Sequence, residues 1–386
     1  MLTSFLGEWA ASLLRLAHVV TAAAWFGAFL HVSRLDATLA HGAAWRADGQ
    51  RLTRLGVGEG APSEAPPLFR WQAYMAWASG FLLMTALYYI EADVYLIDAA
   101  RWDAARWQAV SASLAAIVLI WLAYDALAKS ALARRPALLD AAALALVGGG
   151  GVLFTQIFSG RGAFLQTGAV IGTMIVANIA HHIAPAQRRM IAAAREAKEP
   201  SPGDEPVLRL RLRHNDDLAL ALMFFMLSSH LPLAFATRFN WAIAALAVIA
   251  GAATRRYFRA RHAGQSPLWP YAAVAGAAAA LMIVLSLLGR PAALQAATPA
   301  PAFAAARDIV ASRCAVCHAA QPAWPGLAAA PKGVVLDTDA AIRRHARQIA
   351  LQAAASRAMP PGAHADALSE TERALLAAWA SAETPN

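Results

Sequence analysis

The chain is 386 residues long, 59% hydrophobic and 15% charged, with a formal net charge of +9. That balance excludes an ordinary soluble domain and a disordered chain, and places it among membrane proteins. Its two cysteines, Cys314 and Cys317, fall in one short motif, which excludes a disulfide framework.

Apolar stretches of about 20 residues, the length that crosses a bilayer, recur through the first three quarters of the chain. The predicted spans are 9–31, 69–90, 107–127, 138–158, 164–184, 218–236, 241–257 and 268–288, making eight. The first begins beside Glu8 with no basic leader, and Arg15 and His18 interrupt its apolar run, so it reads as a retained span rather than a signal peptide. Loops after spans one, three, five and seven carry most of the positive charge, with Arg46, Arg134, Arg135, Arg188, Arg189 and Arg256 among them. Those after spans two, four and six hold only Arg101, Arg106, Arg161 and Arg238. The positive-inside rule makes the first set cytoplasmic. Both termini then face the periplasm of a bacterial inner membrane, and the charge is no sign of a nucleic-acid partner.

Ionisable groups inside spans are costly and mark candidate sites. Arg15 and His18 share one face of span one, and Asp125 and Lys129 close span three at i,i+4 spacing. Span five holds Gln166, Asn178, His181 and His182. "RHNDD" with His214 precedes span six, and "SSHLP" with His230 lies towards its other end. By depth, His18 and His230 fall in the periplasmic half, whereas His31, His181, His182 and His214 lie near the cytoplasmic ends. His18 with His230 is a candidate ligand pair for a b-type haem; the alternative is histidines hydrogen-bonded to neighbouring helices. "SGRGAF" places Arg161 in a short outer loop, facing lipid headgroups or an anion. "GGGG" at 148–151 reads as a close helix contact.

A Pro/Ala-rich linker, 289–302, separates the bundle at 1–288 from a tail at 303–386. Helices are predicted over 303–313 and 339–355, and a third opens on the Ser369 and Glu372 capping box. Cys314-Ala-Val-Cys317-His318 is a C-x-x-C-H motif, which attaches a c-type haem covalently. A zinc site would need further ligands, and His345 and His364 are poorly spaced for it. Met359, before a proline pair, is the second axial ligand expected of a His/Met cytochrome c. The predicted class is all-α: a polytopic bundle of eight transmembrane helices plus a small class I cytochrome c domain. Haem is attached outside the cytoplasm, in agreement with the topology.

The order of motifs resembles the bacterial membrane-bound urate hydroxylases over nearly the whole length. The resemblance rests on "LRLAHVVTAAAWFG", "FRWQAYMAWASGFLLMTALYYIEADVYLID", "FSGRGAFLQTGAVIGTMIVAN", "RHNDD", "MLSSHLPLAFA" and the tail's "APKGVVLDT" and "AMPPG". It implies oxidation of urate, or a related purine, to 5-hydroxyisourate with water as the oxygen source. Electrons would pass to the attached haem and on to a terminal oxidase or a soluble cytochrome c. Urate is an anion at neutral pH, so Arg15 or Arg161 would bind it, with His18 or His230 as general base. Departures fall on polar positions: Gln166 stands where the family pattern has a histidine, and "HNDD" is more acidic than its counterpart. The rival reading is a module without an organic substrate, relaying electrons from quinol or a partner through b haem to c haem. A copper-handling bundle would need a Met-rich or Cys-rich pattern that is not there.

Overall fold

The computed structural model describes residues 2–39, 67–196, 198, 201–289, 302–325, 327–361, 364 and 367–383. Most of the linker and the loop bearing His41, Arg46 and Arg51 lie outside the described residues. Regular structure among those described is helical, save one isolated bridge between Ile97 and Phe158.

In chain order the helices are α1 (Leu2–Leu39), α2 (Pro67–Met84), the short α3 (Ala92–Tyr95), α4 (Arg106–Lys129), α5 (Pro136–Ile157) and α6 (Gly160–Asn178). There follow α7 (Ala184–Arg195), α8 (Asp204–Leu227), α9 (Pro232–Phe235), α10 (Asn240–His262) and α11 (Trp269–Leu288). Five stretches are long and apolar enough to cross a membrane: Trp9–Leu30, Arg106–Lys129, Pro136–Ile157, Gly160–Met190 and Trp269–Leu288. Their outward faces carry bare apolar side chains such as Leu119 and Ile283, with Trp107 and Trp269 at helix ends. Exposed apolar area on this scale marks a lipid-facing surface. α8 and α10 are equally long, but charges at Arg211, Asp216, Asp217, Arg255 and Arg256 dilute them.

Two helices differ from expectation for a physical reason. The sixth span was expected from residue 218, with "RHNDD" outside it. Instead α8 starts at Asp204 and runs through that segment, where Arg213, Asp216 and Asp217 find partners in Asp140, Arg255 and Arg256 of neighbouring helices. In the tail, the single helix expected over 339–355 is broken into α14 (Asp339–Arg344), α15 (Ala346–Ile349) and a π-turn, Ala350–Ala354. The one expected over 303–313 is α12 (Phe303–Ile309) followed by a π-turn, Val310–Cys314, and α13 (Ala315–His318). Such turns concentrate at functional positions. α16 (Glu370–Glu383) begins on the expected capping box: Glu372 accepts from the Ser369 N–H at 2.7 Å, and Ser369 Oγ accepts from the Glu372 N–H at 3.2 Å.

Lipid offers no hydrophobic drive between helices, so small residues must let backbones approach. A Cβ on Gly251 of α10 would lie 2.7 Å from the Ala221 nitrogen of α8, and Gly151 of α5 packs at Ala244. α6 touches α2, α4, α5 and α8 and forms the centre of the bundle. Phe154, Phe164, Ile171, Met174 and Phe225 are fully buried around it. A second cluster, around Trp379, Leu376, Val310 and Ala306, is the core of the tail. One tail residue, Ala358, belongs to the bundle's cluster instead.

Candidate functional site

The tail is built around its C-x-x-C-H segment. Cys314 ends a π-turn, Cys317 and His318 lie in α13, and Cys314 and Met359 both pack against the tail core. His318 Nδ1 is 2.9 Å from the Val334 carbonyl, which can only accept, so Nδ1 carries the proton and Nε2 is free to bind a metal. Met359 is held at both ends: its N–H donates to Gln352 O at 2.9 Å, and its carbonyl accepts from Arg373 Nη1 at 3.1 Å. Burial pushes the Cys314 thiol up to about 11 and raises Cys317 as well, so both are neutral thiols near pH 7. His345 Nδ1 is spent on Ala341 O, and His364 packs edge-on against Trp324. No group of His, Cys, Asp and Glu suited to a metal ion occurs among the described residues. Two thiols, an oriented imidazole and a thioether are the protein groups a c-type haem requires, and they fit it.

A second feature lies where one end of the bundle meets the tail. Ser159 caps α6 by accepting from the Gly162 N–H at 3.0 Å, while its own hydroxyl donates to Tyr95 O at 2.6 Å. A Cβ on Gly160 would sit 2.1 Å from Phe235 O, so only glycine lets α9 come this near. The result fixes Arg161 between two rings, 5.9 Å from the Tyr95 centroid and 5.3 Å from that of Phe235. Next to Phe235, the Ala236 carbonyl accepts from the Arg357 N–H of the tail at 3.1 Å. Lys332 lies in the tail's Pro331–Gly333 turn and is exposed. Burial, and then the Arg161 and Arg15 guanidiniums, hold its ammonium below the ordinary lysine value. The Tyr95 phenol is raised by burial and feels Arg161, Glu91, Arg15 and the tail's Cys317 in turn.

The four expected bundle residues lie on three separate elements. Arg15 is exposed on α1. His18 turns towards α2, with Nδ1 3.0 Å from Ala76 O and 3.3 Å from Ser79 Oγ, packed over Gly80. His230 is exposed in the turn Ser228–His230 between α8 and α9, and no contact joins it to His18 among the described residues. Arg161 alone is fixed by its neighbours at the tail contact.

A third feature, largely unforeseen, is a layer of buried charge at the opposite end. Asp125 accepts from Lys129 (2.5 Å), the fully buried Arg211 (2.6 Å) and His182 (2.7 Å). Arg211 also donates to Asn178 (3.1 Å), whose amide donates to Asn215 (2.8 Å) and Tyr124 OH (3.2 Å). Tyr124 reaches His214 Nδ1 at 2.9 Å, and His214 Nε2 meets Asp140 at 3.0 Å. Asp140 also accepts from Arg213 and Arg256, while Asp216 and Asp217 take Arg255, Arg256 and Arg259. A recess of about 250 Å³ opens beside Asp140, Arg256, Arg259 and Tyr271.

A sequence model of the urate oxidase N-terminal family matches residues 4–287, nearly three quarters of the chain. The chain belongs to that family. Neither the curated proteins nor the solved structures contain a match. Membership makes this a urate-related oxidoreductase with membrane-length helices, and the matched range runs from the third residue of α1 to the last but one of α11. Within that range the two features differ in charge balance. In the layer of buried charge each arginine named above holds a carboxylate, whereas neither Arg15 nor Arg161 makes an ion pair among the described residues.

Proposed function

We propose that this chain is a membrane-bound enzyme that oxidises urate to 5-hydroxyisourate and passes the electrons to its own tail, a periplasmic class I cytochrome c. In this reading eight helices span the inner membrane, α2, α8 and α10 joining the five apolar ones. Both termini face the periplasm. Cys314 and Cys317 bond a c-type haem covalently, His318 and Met359 are its axial ligands, and a terminal oxidase or soluble cytochrome c is the onward acceptor. When bound, that haem supplies a one-electron acceptor, so each urate needs two turnovers of it.

The observation that carries the reading is the contact between two parts of the chain. The loop bearing Met359 is bonded to the bundle through Arg357 and Ala236, one residue from the ring that holds the unpaired Arg161. An anion at Arg161 therefore sits beside the tail's haem-binding segment. Urate plus water gives 5-hydroxyisourate, two protons and two electrons, so the site needs a base as well as an acceptor. His18, three residues from Arg15, fits the role: Ala76 O fixes the proton on Nδ1, leaving Nε2 as the basic nitrogen. Arg161 and Arg15 hold the anion by charge-assisted hydrogen bonds.

The test is urate consumption by membranes containing the chain, without dioxygen, in the presence of ferric cytochrome c. Loss of urate matched by reduction of the acceptor is the expected result. Consumption that needs dioxygen and yields hydrogen peroxide, or none at all, would overturn the assignment.

A further inference from the structure

The layer of buried charge does not balance. Around Asp140 of α5, four guanidiniums of α8 and α10 share three carboxylates: Arg213, Arg255, Arg256 and Arg259 against Asp140, Asp216 and Asp217. One positive charge is left over among the described residues, and a protonated His214 would only add to it. The Asp216 and Asp217 side chains are 5% and 3% exposed, so water screens little of that excess. Arg213 Nε is buried with no hydrogen-bond partner. Beside this cluster lies the recess of about 250 Å³, lined by Asp140, Arg256, Arg259, Ala260, Gln265 and Tyr271. Both Asp140 oxygens are already taken, Oδ1 by Arg213 and His214 and Oδ2 by Arg256. The Arg256 and Arg259 side chains remain 27% and 29% exposed, and Gln265 is exposed with its amide. The recess thus offers positive charge and a neutral donor to one anion.

Next to it the surface is apolar. The recess lies where α10 turns into α11, and α11 buries only Ala278 while Trp269, Val274 and Leu281 stand bare. A tryptophan at such a helix end is what a membrane interface selects. We infer that the recess binds the phosphate of an anionic phospholipid, whose acyl chains lie along the bare face of α11. A phosphodiester carries one negative charge, the amount the cluster lacks, and guanidiniums hold it by charge-assisted hydrogen bonds. A choline headgroup brings its own cation and restores the imbalance, so the lipid must be net anionic. α11 packs mainly on α10, and a phosphate held by Arg256, Arg259 and Tyr271 ties the two together beside α5. α10 is 23 residues, about 35 Å, long and starts beside the tail contact at Ala236, so this site is a bilayer's width from Arg161. It is independent of the urate reading and needs only that the apolar helices lie in lipid.

The experiment takes the full-length haem-loaded protein from nanodiscs of mixed phosphatidylglycerol and phosphatidylcholine into mild detergent and weighs it by native mass spectrometry. One phosphatidylglycerol per chain is expected to stay bound after phosphatidylcholine is lost. Gln265→Glu, which sets a carboxylate at an exposed position of the recess, should weaken that retention roughly fivefold, the effect of one charge near a lipid phosphate. Arg344→Gln, which lowers the net charge equally on the exposed surface of the tail, should leave it unchanged. Thermal unfolding gives a second reading. In phosphatidylcholine nanodiscs, added phosphatidylglycerol should raise the midpoint of the natural chain and not that of Gln265→Glu, which supplies the missing charge itself. Equal retention of the two lipids, or retention unaffected by Gln265→Glu, would overturn the site. If inorganic phosphate raises the midpoint as much as the lipid does, the lipid assignment is overturned and free phosphate is the ligand. Urate should change neither readout; displacement of the lipid by urate would overturn both this site and the placement of substrate at Arg161.

Discussion

Arg161 is the residue on which most depends. Its guanidinium is held by Tyr95 and Phe235 with no carboxylate partner among the described residues, so it is preorganised for an anion. Replacing it with glutamine should raise KM for urate by roughly ten- to a hundredfold, the loss of a hydrogen bond to a charged group. Steady-state kinetics with ferric cytochrome c as acceptor would show it; an unchanged KM would move the substrate elsewhere. Asp125 behaves differently because it is structural. Asp125→Asn leaves Arg211 buried without its counter-charge and should cost about 3–5 kcal/mol in stability. Thermal unfolding in detergent should show most of that loss recovered by the double change Asp125→Leu with Arg211→Leu. In the tail, burial pushes the Glu372 carboxyl up, but the Ser369 N–H and hydroxyl and then Arg313 outweigh it, so its pKa lies below the ordinary value. Because the folded value is depressed, the stabilisation is complete above the unfolded pKa of about 4.3 and is lost as pH falls through the folded one. Acid titration of tail stability should flatten in Glu372→Gln; an unchanged titration would remove the capping box from the account.

At the scale of helices, packing by small residues makes a sharper test than packing by large ones. Gly251→Val drives a side chain into the α8 backbone at Ala221 and should lower the unfolding temperature markedly. Gly149→Ala meets nothing within 4 Å and should leave it unchanged or slightly raised, since alanine favours helix by up to about 1 kcal/mol. Much of this was legible in the sequence. Apolar length located the membrane-length helices, i,i+4 spacing gave the Asp125–Lys129 pair, and the Ser369 and Glu372 spacing gave the cap. What was not legible depends on partners far away in the chain. Nothing local says that Arg211 reaches Asp125, or that Tyr124, His214 and Asp140 form one chain of hydrogen bonds. For that reason "RHNDD" reads from the sequence as lying outside span six, although its charges are paired across helices and it lies within α8. Arg373 on the Met359 carbonyl was missed for the same reason, since a lone arginine on an amphipathic helix carries no signal of its target.

For the whole molecule, the family match and the tail are separate observations that meet at one surface. The match ends at residue 287, and the tail's Cys314, Cys317, His318 and Met359 lie beyond it. The contact through Arg357 and Ala236 joins the tail to the bundle, and under the proposed function it makes the two one redox unit. The topology makes its own prediction: a reporter active only in the periplasm should work when inserted in the turn before α4 or after the last residue, and fail between α7 and α8. The most direct test of the account is an anaerobic visible spectrum of the purified, oxidised protein before and after addition of urate. Reduction of a c-type band with no other donor present is the expected result, and a b-type band beside it would reveal a second haem bound within the bundle. A spectrum that urate leaves oxidised, while a quinol analogue reduces it, would contradict the account and make the chain a quinol-to-cytochrome relay.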